Sequence, residues 1–307
     1  MLISPFGVVF DIKKFLRKIG IILGLFPTLC WAGGQENIVV HGVNSTVLEK
    51  NITKEIYVQR VGHIPKWSSH VCLNVFGLND TFKDSIIHKM KSVGQDLSLN
   101  VSDTCSVGNV LILFTDQSDD VARQIEQQNP SMFRGYDADP QFKETLDEPT
   151  DDEKNAFLKS RAVRWLTSTT LRSHDNMPPL TISTPWGPIQ AVQEDDPSML
   201  HDTARRDFTL SIIIVDINRI KDEPWGMLSD LIALVAYMGP NLSAHYDDMT
   251  LLGGNNGPVL QGPTGYMTPY DKALLAALYN TDGATDAREA VSYMADKVLE
   301  NIHPRSP

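Results

Sequence analysis

The segments SIIIVDI (Ser211–Ile217), GMLSDLIALVAYMG (Gly226–Gly239) and MTPYDKALLAALY (Met267–Tyr279) carry the clearest structural message in the chain. The first is a β-branched run of strand length. In the second, Trp225 just upstream and Met227, Leu228, Leu231, Ile232, Leu234, Val235 and Met238 make a helix that is apolar almost all round, the mark of a buried helix. Asp230 is the only side chain between Gly226 and Gly239 that is charged at neutral pH. The third segment opens with Thr268 and Asp271, three residues apart, which read as a reciprocal helix cap. Between the helices, GGNNG (Gly253–Gly257) is expected to be a mobile turn. It is not a phosphate loop, because no lysine or Ser/Thr follows at the required spacing, and nothing in the chain calls for a cofactor.

Upstream, a smaller α/β pattern is legible. Strand-like VCLNVFGL (Val71–Leu78) leads to a helix over about Asp80–Val93, with Phe82, Ile86, Met90 and Val93 at helical spacing. Strands at Leu97–Val101 and Asn109–Thr115 and a helix from Asp119 to about Gln128 follow. Residues 129–150 are irregular, with Pro130, Pro140 and Pro149. A helix is then expected over DDEKNAFLKSRAVRWLTSTTL (Asp151–Leu171), directing Ala156, Phe157, Val163, Trp165 and Leu166 to a core. Met177–Val192 reads as a proline-broken hairpin or meander at a sheet edge, and Glu194–Asp207 as an acidic bridge. The final helix presents Ala287, Val291, Met294 and Val298 as one stripe. The expectation is an α/β (α+β) protein divided into 1–32, a leader; 33–66, extended and polar with an edge strand at Glu55–Val61; 67–149, a small α/β sandwich unit; and 150–307, an α+β unit built around a buried central helix.

The leader reading rests on Lys13, Lys14, Arg17 and Lys18 before the apolar run Ile19–Leu29 and the small residues Ala32-Gly33-Gly34, the three parts of a secretory signal peptide. An uncut anchor is the alternative, and Cys30 is a poorer lipid site because Thr28-Leu29 lacks the small residue expected before it. The first ten residues make the leader long, which leaves a start downstream of Met1 open. The full chain of 307 residues carries a net charge of −11, and without residues 1–32 the balance is near −14. So acidic a surface argues against nucleic acid or anionic lipid as partner. Cys72 and Cys105 then remain, each beside a strand. In an exported chain they are expected to pair, with free thiols or a metal pair as alternatives. No Cys-x-x-Cys spacing or nearby His pattern favours metal. Five Asn-x-Ser/Thr triplets, at Asn44, Asn51, Asn79, Asn100 and Asn241, matter only in a eukaryotic secretory route.

The order VCLNVFGL, SDTCSVGNVLILFTD, SIIIVDINRI, WGMLSDLIALVAYMG, DDMTLLGGN and MTPYDKALLAALYN resembles a group of exported proteobacterial proteins of unknown function. Over their second half these are similar to secreted domains with a zincin-like, metallopeptidase-like fold. There the helix carries a Glu-rich zinc-peptidase motif, and a Leu-Thr-x-x-Asp-x-x-x-Leu-x-x-Leu-Tyr helix follows. Met267-Thr268-Pro269-Tyr270-Asp271 and Leu275-Ala276-Ala277-Leu278-Tyr279 match that ending. The resemblance implies a zincin-like domain from 150 to 307. It does not carry the activity. A zincin helix needs two His one turn apart and a Glu beside the first, and Gly226–Gly239 holds neither.

The residues left for chemistry are few. Asp216 stands inside an apolar strand, where a carboxylate is costly without a partner such as Arg219 or Lys221; capping the strand end is the simpler role. His245, Asp247 and Asp248 lie where a zincin keeps its third ligand, and also read as solvated loop side chains. His174-Asp175 and His201-Asp202 are polar-loop pairs. The sequence therefore points to an exported protein, periplasmic or extracellular, in which a non-catalytic zincin-like domain binds a partner protein or cell-envelope component. The alternative is a hydrolase using Asp216, His245 and Asp248.

Overall fold

Alternation is the first feature of the central sheet. In β1 (Val71–Phe76) and β3 (Val110–Thr115), Val71, Leu73 and Val75 and then Val110, Ile112 and Phe114 are buried, while the residues between them are not. One sheet face is thus deeply covered, as a period of two requires. The computed structural model describes residues 44–56, 62–129, 151–177, 180–185, 187–193, 202–220, 224–257, 260 and 266–302. The expected leader, the second half of the Glu55–Val61 strand, the proline-rich stretch after Asn129, most of the acidic bridge, His201 and Lys221 lie outside them.

Five strands form one sheet in the order β2-β1-β3-β7-β4. Here β2 is Val101–Ser102, β4 Val163–Ser173 and β7 Ala204–Asp216. All neighbours are parallel except β4, which runs antiparallel to β7 along the edge. The fold is α/β of mixed sheet type. Of the hairpin or meander expected at a sheet edge over Met177–Val192, the structure has the hairpin, joining β5 (Leu180–Thr184) to β6 (Gly187–Ala191) as a two-stranded sheet of its own. The sheet draws β1, β2 and β3 from one side of the 149/150 boundary and β4 and β7 from the other. The two segments therefore share a sheet, and the described residues all belong to a single compact unit.

Three sequence expectations need correction. The first is the strand over Leu97–Val101, of which only Val101 enters β2 because Leu97 and Ser98 form the turn that ends the preceding helix. Residues 33–66 are not extended throughout, because α1 occupies Ser45–Glu55. Its Asn44 side chain caps the Val47 N–H at 3.0 Å, and Leu48 and Ile52, four residues apart, bury one stripe. The helix expected over Asp151–Leu171 stops at Leu158, as α4 (Asp151–Leu158), and VRWLTSTTL is strand β4. Its β-branched and aromatic residues fit a pleated surface better than a helix, and pairing with the long β7 settles the competition.

The remaining helices are α2 (Asp80–Asp96), α3 (Ser118–Gln128), α5 (Trp225–Met238), α6 (Pro269–Asn280) and α7 (Ala287–Ile302). Every residue of α5 from Met227 to Met238 is buried. In its first turn Trp225 meets the tilted ring of Phe82 of α2 at 4.7 Å and stacks on Phe114 of β3 at 5.8 Å. Asp230 is held by Lys89 Nζ at 2.9 Å and by the Met267 N–H at 3.0 Å, so one carboxylate joins α2, α5 and the entry to α6. A buried helix end must satisfy its last carbonyls. Here Trp67 Nε1 donates to Ala236 O at 2.7 Å, the Tyr279 hydroxyl to Tyr237 O at 2.9 Å and Trp165 Nε1 to Pro240 O at 2.6 Å. Gly239 ends the helix at φ +56°, where an added Cβ would lie 2.6 Å from the Phe208 ring. Among the described residues no helix is long and apolar enough to cross a membrane.

Candidate functional site

The turn after α5 and the start of β4 enclose a recess of about 140 Å³. Its walls include Lys159, Arg161, Trp165, Ser243, His245 and Asn256. Two local structures shape it. The first three residues of GGNNG belong to a 3-10 turn (Leu251–Asn255), and buried Asn255 accepts from the Val163 N–H at 3.2 Å and donates to Val163 O at 2.7 Å. A side-chain amide thus continues the β4 edge where a neighbouring strand would sit. Asn256 likewise accepts from the Tyr246 N–H and donates to Tyr246 O, at 3.1 and 2.6 Å, which fixes the loop carrying His245.

Arg161 is the most constrained cation in the recess. Its Nη1 donates to Leu242 O at 3.2 Å, while its Nε is buried without a hydrogen-bond partner among the described residues. Burial, then the nearby Arg164 charge, pulls the guanidinium below its ordinary range, against the opposing effect of Tyr246. An arginine stays charged at neutral pH despite this. A buried charged donor left open costs free energy that an incoming acceptor recovers.

Tyr246, in the wall of the recess, lies near a buried acid. Tyr246 donates to Asn241 O at 2.5 Å, and its hydroxyl is driven upward by burial and by the charge of Glu55. Glu55, at the end of α1, accepts from the Tyr270 hydroxyl at 2.7 Å. Burial pushes the Glu55 carboxyl up to about 8; the Tyr270 hydrogen bond opposes this, and Asp247 and Asp271 reinforce it. At neutral pH Glu55 is therefore mostly a neutral acid. Burial alone raises Glu153 to about 7.

The residues singled out in the sequence separate into different places. Asp216, at the end of β7, is buried and fully engaged: Ser118 Oγ donates to it at 2.6 Å, the Asn218 N–H at 2.9 Å and Arg219 Nε at 3.2 Å. It anchors the turn after the strand, with Arg219 as partner. Buried Arg164 stands beside it, bonded to Asp119 and, at 2.9 Å, to Phe157 O. Burial raises the Asp119 carboxyl, but hydrogen bonds from Ser160 and Arg164 and the charges of Arg164 and Arg219 outweigh it, so the net shift is downward. Trp165 pairs with Ile213, three residues before Asp216, so strand alternation puts Asp216 on the opposite sheet face from the recess.

His245, Asp247 and Asp248 are exposed. Asp247 Oδ1 accepts from the Met249 N–H at 3.0 Å, and no hydrogen bond or ion pair among the described residues joins His245 to Asp216, Asp247 or Asp248. His174 faces Asp282 at 3.7 Å on a polar loop. Sequence reasoning missed Arg161 and Glu55. Arg161 was hidden inside an expected helix, and Glu55 inside an expected strand; neither carries a local motif.

Set against known protein families, curated proteins and solved structures, the chain matches none of them.

Proposed function

We propose that this is an exported, zincin-like domain without peptidase activity, which binds an acidic group of a partner protein or envelope component in the Arg161 recess. The observation that carries the reading is a recess with two cationic side chains, Lys159 and Arg161, in its walls, on a chain of net charge −11. Against such a background a local positive site attracts an anionic group and orients it. The succession of β7 and the buried α5 supports the zincin-like part of the reading. The composition of α5 supports the absence of peptidase activity: its one carboxylate is consumed by Lys89 and Met267, and apolar packing occupies the positions where two imidazoles would be needed.

Calorimetric titration with a glutamate-rich peptide and with inorganic phosphate tests the reading. Saturable binding is expected, weakened at least tenfold by Arg161→Gln. No saturable binding of either probe, or binding indifferent to Arg161→Gln, would overturn it. Zinc-dependent cleavage of an unfolded protein substrate would favour the hydrolase alternative only if His245→Ala abolished it.

A further inference from the structure

Cys72 and Cys105 form a disulfide with Cα atoms 5.9 Å apart, and His70 stands beside it. One ring nitrogen of His70 and the two sulfurs all lie within 4.8 Å of one another. The sequence offered no His pattern near the cysteines, yet His70 is two residues before Cys72. Residues two apart on an extended segment project to the same side.

The backbone around these groups is braced. Asn109 donates from Nδ2 to His70 O at 2.9 Å and accepts from the Cys72 N–H at 2.7 Å, while its own N–H donates to Cys72 O at 3.0 Å. The Cys105 loop is shaped by Ser102, whose Oγ accepts from the Thr104 N–H at 3.2 Å. Cys72 also pairs with Ser102 across the β1–β2 ladder. The histidine is exposed and the cysteines are half-buried, so both reductant and ion can reach them.

We propose that this is a redox-gated metal site, closed as a disulfide and opened on reduction to bind one thiophilic cation, zinc or copper(I), through the Cys72 and Cys105 thiolates and the His70 imidazole. A dithiol reductant supplies two electrons and two protons; the S–S bond breaks, two thiols form and the reductant closes to its own disulfide. The cation then displaces one proton from each thiol, while neutral His70 donates a lone pair. Two thiolates and one imidazole suit these metals by softness and charge, and leave a coordination position open. A disulfide offers no thiolate, so oxidation and metal binding exclude one another. The site is independent of the Arg161 recess.

The test uses the exported chain, oxidised or reduced with dithiothreitol and then freed of reductant under anaerobic conditions. Zinc stoichiometry is read by metal analysis, with cobalt(II) as a spectroscopic probe of sulfur ligation and circular dichroism as a check on folding. The expected result is no zinc on the oxidised protein, one equivalent with a sulfur-to-cobalt charge-transfer band on the reduced protein, and affinity weakened at least tenfold in His70→Ala. Cys105→Ser should remove the band. Zinc on the oxidised protein, none on the reduced protein, binding indifferent to His70→Ala, or a reduced chain that is unfolded with and without zinc would each overturn the proposal.

Discussion

Single buried polar side chains do much of the positioning in this molecule. Glu55 is the clearest case, because its carboxyl is pushed from an ordinary value of 4.5 up to about 8. Between those values the folded chain holds a proton that the unfolded chain has released. The stabilising contribution is therefore complete below about pH 4.5 and is lost as pH rises through 8. Melting temperature should fall between pH 5 and pH 9, and Glu55→Gln should remove more than about 1 kcal/mol of that dependence. A melt series over this range checks it; an equal slope in the variant would show that Glu55 is not the group and would point to Glu153, raised to about 7. Asp230 makes a different contribution. Asp230→Ala leaves the Met267 N–H without its acceptor and Lys89 without its partner, and should cost about 1–3 kcal/mol in denaturant unfolding. His245→Ala, at an exposed position, should change stability by less than about 1 kcal/mol.

The helix α5 behaves as a core element. Leu234 is fully buried, so Leu234→Ala should cost about 2–5 kcal/mol, measured by the shift in denaturant midpoint. A loss below about 1 kcal/mol would mean that the helix is looser than its burial indicates. This helix, its neighbour α6 and the final helix α7 were legible from apolar spacing, and the Thr268–Asp271 cap was legible from two residues. The structure adds that Asp271 also accepts from Thr250 Oγ1 at 2.6 Å and the Leu251 N–H at 3.0 Å, so the cap ties the 3-10 turn to α6. That second role joins residues about twenty apart, and no local pattern records it. The β4 segment misled for the opposite reason. A helical stripe and a strand can share Val163 and Trp165, and only pairing with β7 selects between them.

Across the whole molecule, the Cys72–Cys105 disulfide closes a separation of 33 residues. On a chain-entropy estimate this contributes roughly 3–4 kcal/mol. Reduction should lower the melting temperature by several degrees, and a melt with and without dithiothreitol checks it. In the oxidised protein a chelator should leave the melt unchanged; a large chelator shift would reveal a metal that stabilises the fold by another route. The sequence by itself determined the mixed α/β class, the buried helix and the absence of a zinc-peptidase motif from that helix. Each depends on composition or on spacing within one element, where a side chain's neighbours are also its neighbours in the chain. Tertiary structure alone decided that segments 67–149 and 150–307 share one sheet and that Asp216 lies across it from His245. It also assembled the Arg161 recess and brought His70 to the cysteines. Strand order, sheet face and the closeness of residues far apart in the chain arise from hydrogen bonds and packing between elements, and local sequence preference does not encode them.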